Sequence, residues 1–121
     1  MPTMPPRAPG GVAQVAPPAL IPNGPGSRPS EPIEVCLAKG AQERLAQLHC
    51  ANGSVPTIAR RRNVGPRSDP PDSLSLATWD RMGDPQRALI SGEVDYHIID
   101  LFEVDCAGVA ASVYVDAYHC S

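Results

Sequence analysis

The sequence predicts a small α+β domain: an antiparallel sheet with a C-terminal β-hairpin, packed against one N-terminal helix and stapled by disulfides. Three observations predict it. Residues 33–51 are proline-free and rich in Ala, Leu, Gln, Glu and Lys. Residues 94–106 and 112–120 are two runs rich in β-branched and aromatic side chains, joined by a short Ala- and Gly-containing link. Four cysteines lie in this same short stretch, where a small core gains most from covalent staples.

Ten of the 15 prolines in this chain of 121 residues fall within the first 32. Residues 1–32 therefore read as a disordered Pro-rich arm, with too few large apolar groups to offset the entropy of ordering. Segments such as Pro2-Thr3-Met4-Pro5 have the spacing of a polyproline ligand, but that pattern recurs by chance in any proline-rich tract and a linker is the favoured reading. Residues 33–121 are left as a single domain.

The helix over 33–51 ends at Asn52-Gly53, and Leu37, Ala41, Leu45 and Leu48 form its apolar stripe. A strand follows over 55–64, with Val55, Thr57, Ile58 and Val64, and Pro56 at its entry. A loop with three prolines over 65–72 leads to a short helix. Asp72 or Ser73 caps it, Leu76, Trp79 and Met82 form its buried face, and Gly83 stops it. The C-terminal hairpin completes the order.

The cysteines are separated by 13, 55 and 13 residues, unlike the paired short spacing of a zinc site. An even count in a short chain suggests two disulfides and an oxidising compartment, periplasmic or extracellular. Residues 1–32 contain no apolar run of signal-peptide length, so the expected signal segment lies upstream of Met1. Across a helix Cys36 and Cys50 stand ~21 Å apart, and along the hairpin Cys106 and Cys120 ~27 Å apart. Neither pair bridges, because linked Cα atoms lie within ~7 Å. Each helix cysteine must then reach a hairpin cysteine. Pairing of the 55–64 strand with the first hairpin strand favours Cys36–Cys120 and Cys50–Cys106; pairing with the second gives Cys36–Cys106 and Cys50–Cys120. A conflict remains in the hairpin. Cys106 and Cys120 share a face only with a five-residue loop, whereas Phe102, Val104, Val113 and Val115 share one only with an even loop.

The hairpin carries a near-repeat, Asp95-Tyr96-His97 and Asp116-Ala117-Tyr118-His119. In the register that puts both cysteines on one face, His97 and His119 are diagonal neighbours near Asp95. These three are candidate ligands for Zn²⁺ or Cu²⁺; the other register separates the histidines. Arg60, Arg61, Arg62 and Arg67 form a basic cluster that suits an anionic glycan, phosphate or nucleic acid. Six acids and no Lys or Arg over 93–121 make internal cross-strand ion pairs the favoured explanation.

A net charge of −3 and no aromatic residue among the arginines argue against nucleic acid as a partner. No apolar stretch reaches the ~20 residues of a membrane span. Phosphate-binding glycine loops and the G-x-S-x-G elbow are absent from the sequence. His49-Cys50 and His119-Cys120 are sequence neighbours whose side chains diverge, so a thiol nucleophile is not expected.

Cys36-Leu-Ala-Lys-Gly40, Cys50, Gly53-Ser54, Arg60-Arg61, Asp84-Pro85, Asp95-Tyr96-His97 and the ending Tyr114-Val-Asp-Ala-Tyr-His-Cys120 resemble small exported, periplasmic proteins of Gram-negative bacteria that carry no assigned activity. The resemblance covers residues 33–121 and implies an oxidising compartment. The expected function is a disulfide-stabilised binding or structural module without catalysis. Its expected partner is another protein or an envelope component, and no cofactor is expected. The alternatives are a metal-binding protein using the hairpin histidines and a small hydrolase-like enzyme working at the Pro-rich 63–73 loop.

Overall fold

The computed structural model describes residues 16–120. Six elements follow in order: β1 (Ile33–Glu34), α1 (Leu37–Leu45), β2 (Thr57–Pro66), α2 (Leu76–Met82), β3 (Ile98–Cys106) and β4 (Val109–Asp116). One sheet takes the order β1-β4-β3-β2. The fold is α+β, but the sheet is mixed rather than antiparallel, because β1 pairs parallel to β4.

β3 and β4 form the hairpin, with Cys106 opposite Val109 and Phe102 opposite Val113. Ala107 and Gly108 make the turn, both with positive φ, 55° and 95°, as a type I′ turn requires. The loop is therefore even, and alternate residues of the two strands bring Phe102, Val104, Val113 and Val115 to one face. The expected conflict over the cysteines disappears because β4 ends at Asp116. Cys120 lies beyond the strand and is free of its alternation.

β2 runs antiparallel to β3 with irregularities at Ile58/Arg60 and Asn63/Pro66. Cys36 bonds to Cys120 and Cys50 to Cys106, with Cα separations of 4.5 and 5.8 Å. This is the connectivity favoured by pairing β2 with the first hairpin strand.

The first helix is shorter than its sequence pattern suggests, Leu37–Leu45 instead of 33–51. The edge of β4 captures its expected first turn: Val35 donates to the Asp116 carbonyl at 2.9 Å and Leu37 to that of Ala117 at 2.9 Å. The chain then turns sharply, with Leu37 at φ 59°. Leu37 is exposed, whereas Ala41 and Leu45 are buried. Asn52 anchors the turn after the helix, donating from Nδ2 to the Cys106 carbonyl at 2.8 Å. The second helix is capped by Ser75, which accepts from the Thr78 amide at 3.1 Å, not by Asp72 or Ser73. Its Leu76 is exposed and Met82 buried.

The Pro-rich arm also needs correction over its described part, residues 16–32. Ser112 donates to the Pro18 carbonyl at 2.9 Å, Leu20 to Ser112 at 2.8 Å, and Tyr114 to Gly26 at 3.0 Å. The segment thus satisfies the outer edge of β4, where proline's missing donor is no obstacle on the solvent side. Gly26 suits this place because its φ is 97°, which strains other residues, and an added Cβ would also press to 3.1 Å from the side chains of Ile21 and Ile33. The rest of the arm lies outside the described residues. One face of the sheet carries the core cluster of Ile33, Ala41, Leu45, Phe102, Val104, Val113 and Val115, with Cys50 and Cys106 inside it. Ile99 and Leu101, on the alternate β3 positions, are buried too.

Candidate metal centre

Because β1, β2 and β4 are mutually parallel and β3 opposes them, three strand C-termini and the start of β3 meet at one end of the sheet. Glu34 pairs with Asp116 there, and Pro66 with Ile98. The residues just beyond these ends are Arg67, Asp95, His97 and His119. They converge with Asp116 and Glu34.

The two aspartates are held alike. Asp95 Oδ1 accepts from the His97 amide at 2.9 Å, and Asp116 Oδ1 accepts from the Tyr118 amide at 3.1 Å. Each is a local turn with the backbone two residues on, which leaves each Oδ2 for the cluster. Asp116 Oδ2 lies 2.9 Å from His97 Nδ1 and 2.9 Å from His119 Nε2. Asp95 Oδ2 lies 3.1 Å from His119 Nε2, and Asp95 Oδ1 lies 2.8 Å from His97 Nδ1. Arg67 Nη1 donates to Glu34 at 2.6 Å, to Asp95 at 2.9 Å and to Asp116 at 3.4 Å.

Access is one-sided. Asp116 and His97 are buried, at 0% and 1% exposure. Tyr118 stacks on the His97 ring with centroids 5.3 Å apart, and His97 Nε2 is buried without a hydrogen-bond partner. His119, Arg67 and Glu34 face the open side. Glu34 and Arg67 also line a cavity of about 300 Å³ together with Pro25, Glu31 and Pro32.

Four donor atoms, one each from Asp95, His97, Asp116 and His119, lie within 4.8 Å of one another. Tetrahedral zinc at 2.0–2.1 Å from N and O ligands separates them by about 3.3 Å. The closest contacts, 2.8–3.1 Å, fall just inside that spacing. The widest separation among the four donor atoms, within 4.8 Å, lies outside it, so an ion would draw the set together on one side and part it on the other. Three formal carboxylate charges against Arg67 leave two negative charges, which one dication between neutral imidazoles would balance.

Without an ion, a proton on His97 does part of that work. Burial alone would lower the His97 pKa, but hydrogen bonds to Asp116 and Asp95 outweigh it and raise the pKa to about 9. Burial likewise pushes Asp95 up, and bonding to His97 more than reverses this, holding it well below the usual carboxylate range. The stability contributed by protonated His97 is complete below its ordinary value of 6.5 and is lost as the pH rises through 9. The Asp95 contribution is present above 3.8 and is lost as the pH falls below it. With chelator present, the urea midpoint is expected to be highest between about pH 4 and 6.5 and to fall toward pH 9.5. A profile flat from pH 6 to 9.5 would contradict the His97 assignment.

The sequence singled out Asp95, His97 and His119, and the structure brings them together. It does so in the register that was expected to part the histidines, because both lie outside the paired strands, with ring centroids 4.9 Å apart. Asp116 and Glu34 were not among the candidates; the Asp116 signal was present in the near-repeat. The basic cluster divides. Arg60 and Arg62 reach Glu103 at 2.8 and 3.3 Å, Arg61 lies on the β2 position opposite Phe102, and Arg67 joins the cluster of Glu34, Asp95 and Asp116. No helix among the described residues is long and apolar enough to cross a membrane. Comparison with protein-family models, curated proteins and solved structures finds no match to the chain.

Proposed function

We propose that this protein is an exported, disulfide-stapled domain that binds a divalent transition ion, zinc in the first instance, through Asp95, His97, Asp116 and His119. The convergence of two imidazole nitrogens and two carboxylate oxygens within 4.8 Å carries the reading. Such a mixed donor set suits zinc and its neighbours better than calcium or magnesium, which take oxygen ligands alone. Arg67 then acts behind the carboxylates, orienting both and limiting their charge. The two disulfides support a periplasmic or secreted location, where such bonds persist.

Zinc titration of the oxidised, chelator-stripped protein tests this. One equivalent is expected to bind, competitively with a chromogenic chelator. His119→Ala is the informative variant because His119 sits on the open side and its loss spares the buried pair. It is expected to weaken zinc by about tenfold or more while leaving the metal-free melting curve near that of the parent. Unchanged affinity would overturn the reading.

A further inference from the structure

The metal centre and one disulfide share a short piece of chain. His119 precedes Cys120, and Glu34 stands two residues before Cys36. Beyond the end of β4 three backbone bonds tie the tail to other segments, Leu37 donating to Ala117 at 2.9 Å, His119 to Val35 at 3.1 Å and Cys120 to Pro85 at 3.2 Å, beside the Tyr118 amide on Asp116 and the Tyr118 ring on His97. The Cys36–Cys120 bond closes this set. The two bridges differ in access. Cys36 is exposed and Cys120 half-buried, whereas Cys50 and Cys106 are 5% and 3% exposed in the core.

Resting on the metal reading above, we infer that the Cys36–Cys120 disulfide is a redox latch on the ion site. Its reduction frees the tail that carries His119 and lowers affinity for the metal. The reductant is a dithiol. One of its thiolates attacks a sulfur of the bridge, forming a mixed disulfide and expelling the other cysteine as thiolate. Its second thiol then displaces the first cysteine. The dithiol leaves as a disulfide, and two electrons and two protons end on Cys36 and Cys120. Exposed bridges are the ones a thiol reaches first, so the latch opens before the Cys50–Cys106 bridge.

The latch works through position. Asp95 and His97 are placed by the start of β3 and their own local turn, and Asp116 by the end of β4; the tail touches them only through the Tyr118 amide on Asp116 Oδ1 and the Tyr118 ring on His97. His119 lies on the tail itself. Once the bridge opens, three backbone hydrogen bonds, the Asp116–Tyr118 turn and the Tyr118–His97 stack are left to compete with the entropy of a released chain end.

Zinc-loaded protein is titrated with a water-soluble phosphine, which takes up the oxygen of water and leaves as phosphine oxide. Free thiols are located by alkylation and mass spectrometry, and released zinc is read with a chromogenic chelator. Zinc affinity is expected to fall about tenfold or more in the species with Cys36 and Cys120 reduced and Cys50–Cys106 intact. Cys36→Ala/Cys120→Ala is expected to show the same loss without reductant. Affinity within threefold of the oxidised protein overturns the latch, as does tighter binding through the released thiols. Loss of zinc only once Cys50–Cys106 opens also overturns it, since that loss is unfolding. An oxidised protein that takes up no zinc overturns the metal reading and the latch together.

Discussion

Asp116→Ala is expected to lower the stability of the metal-free protein by about 3–5 kcal/mol, the usual effect of removing one partner from a buried charged cluster. The side chain is fully buried. Its Oδ2 is within 2.9 Å of both imidazoles and 3.4 Å of Arg67, and its Oδ1 satisfies the Tyr118 amide. Alanine leaves that amide without its acceptor and His97 with Asp95 alone. Against a typical domain stability of about 5–15 kcal/mol, this is a large share. Asp116→Asn separates charge from shape: it keeps the volume and an acceptor for Tyr118, so a loss of about 1–3 kcal/mol is expected. Glu34, with its side chain 46% exposed, is the contrasting case; Glu34→Ala should cost under about 1 kcal/mol. Urea denaturation in chelator at pH 6 measures all three. If Asp116→Ala comes within 1 kcal/mol of the parent, the cluster is not the anchor of this end of the sheet.

Sequence reasoning succeeded where local chemistry decides. The β-branched runs around Ala107-Gly108 announced the hairpin, and distance arithmetic on the cysteines left only cross-links between elements. It failed where a neighbouring strand decides. Ile33 and Glu34 carry a helical pattern, but the unpaired edge of β4 offers them ladder hydrogen bonds, and a two-residue strand has no periodicity to read. The same edge explains residues 16–32: proline lowers the tendency to form a strand, yet isolated carbonyls and amides at Pro18, Leu20 and Gly26 suffice to dock the segment. The Asp/His cluster was legible as composition and illegible as geometry. Asp95-Tyr96-His97 and its echo at 116–119 flagged the chemistry, but strand alternation was the wrong ruler for residues beyond the strand ends. The role of Asp116 depends on where β4 stops, which only the finished sheet determines.

The Cys50–Cys106 bridge provides the second large effect, and it sets two contributions against each other. By loop entropy each disulfide is worth about 3 kcal/mol in the presence of the other. The outer bridge spans 84 residues and the inner one 56, and this difference favours the outer bridge by only about 0.4 kcal/mol. Packing acts the other way. Cys50 and Cys106 lie inside the core cluster with Leu45, Val104 and Ala111, so truncating both removes buried contacts and leaves space that rigid neighbours fill poorly, at roughly 1–2 kcal/mol. Cys36 sits at an exposed turn and loses little by truncation. Cys50→Ala/Cys106→Ala is therefore expected to cost about 4–5 kcal/mol and Cys36→Ala/Cys120→Ala about 3 kcal/mol, despite the longer loop of the latter. Paired urea titrations at constant pH read the order directly. If the outer pair costs more, the unfolded chain and not the core decides what these staples are worth, and the inner bridge holds the sheet only by shortening its disordered alternatives.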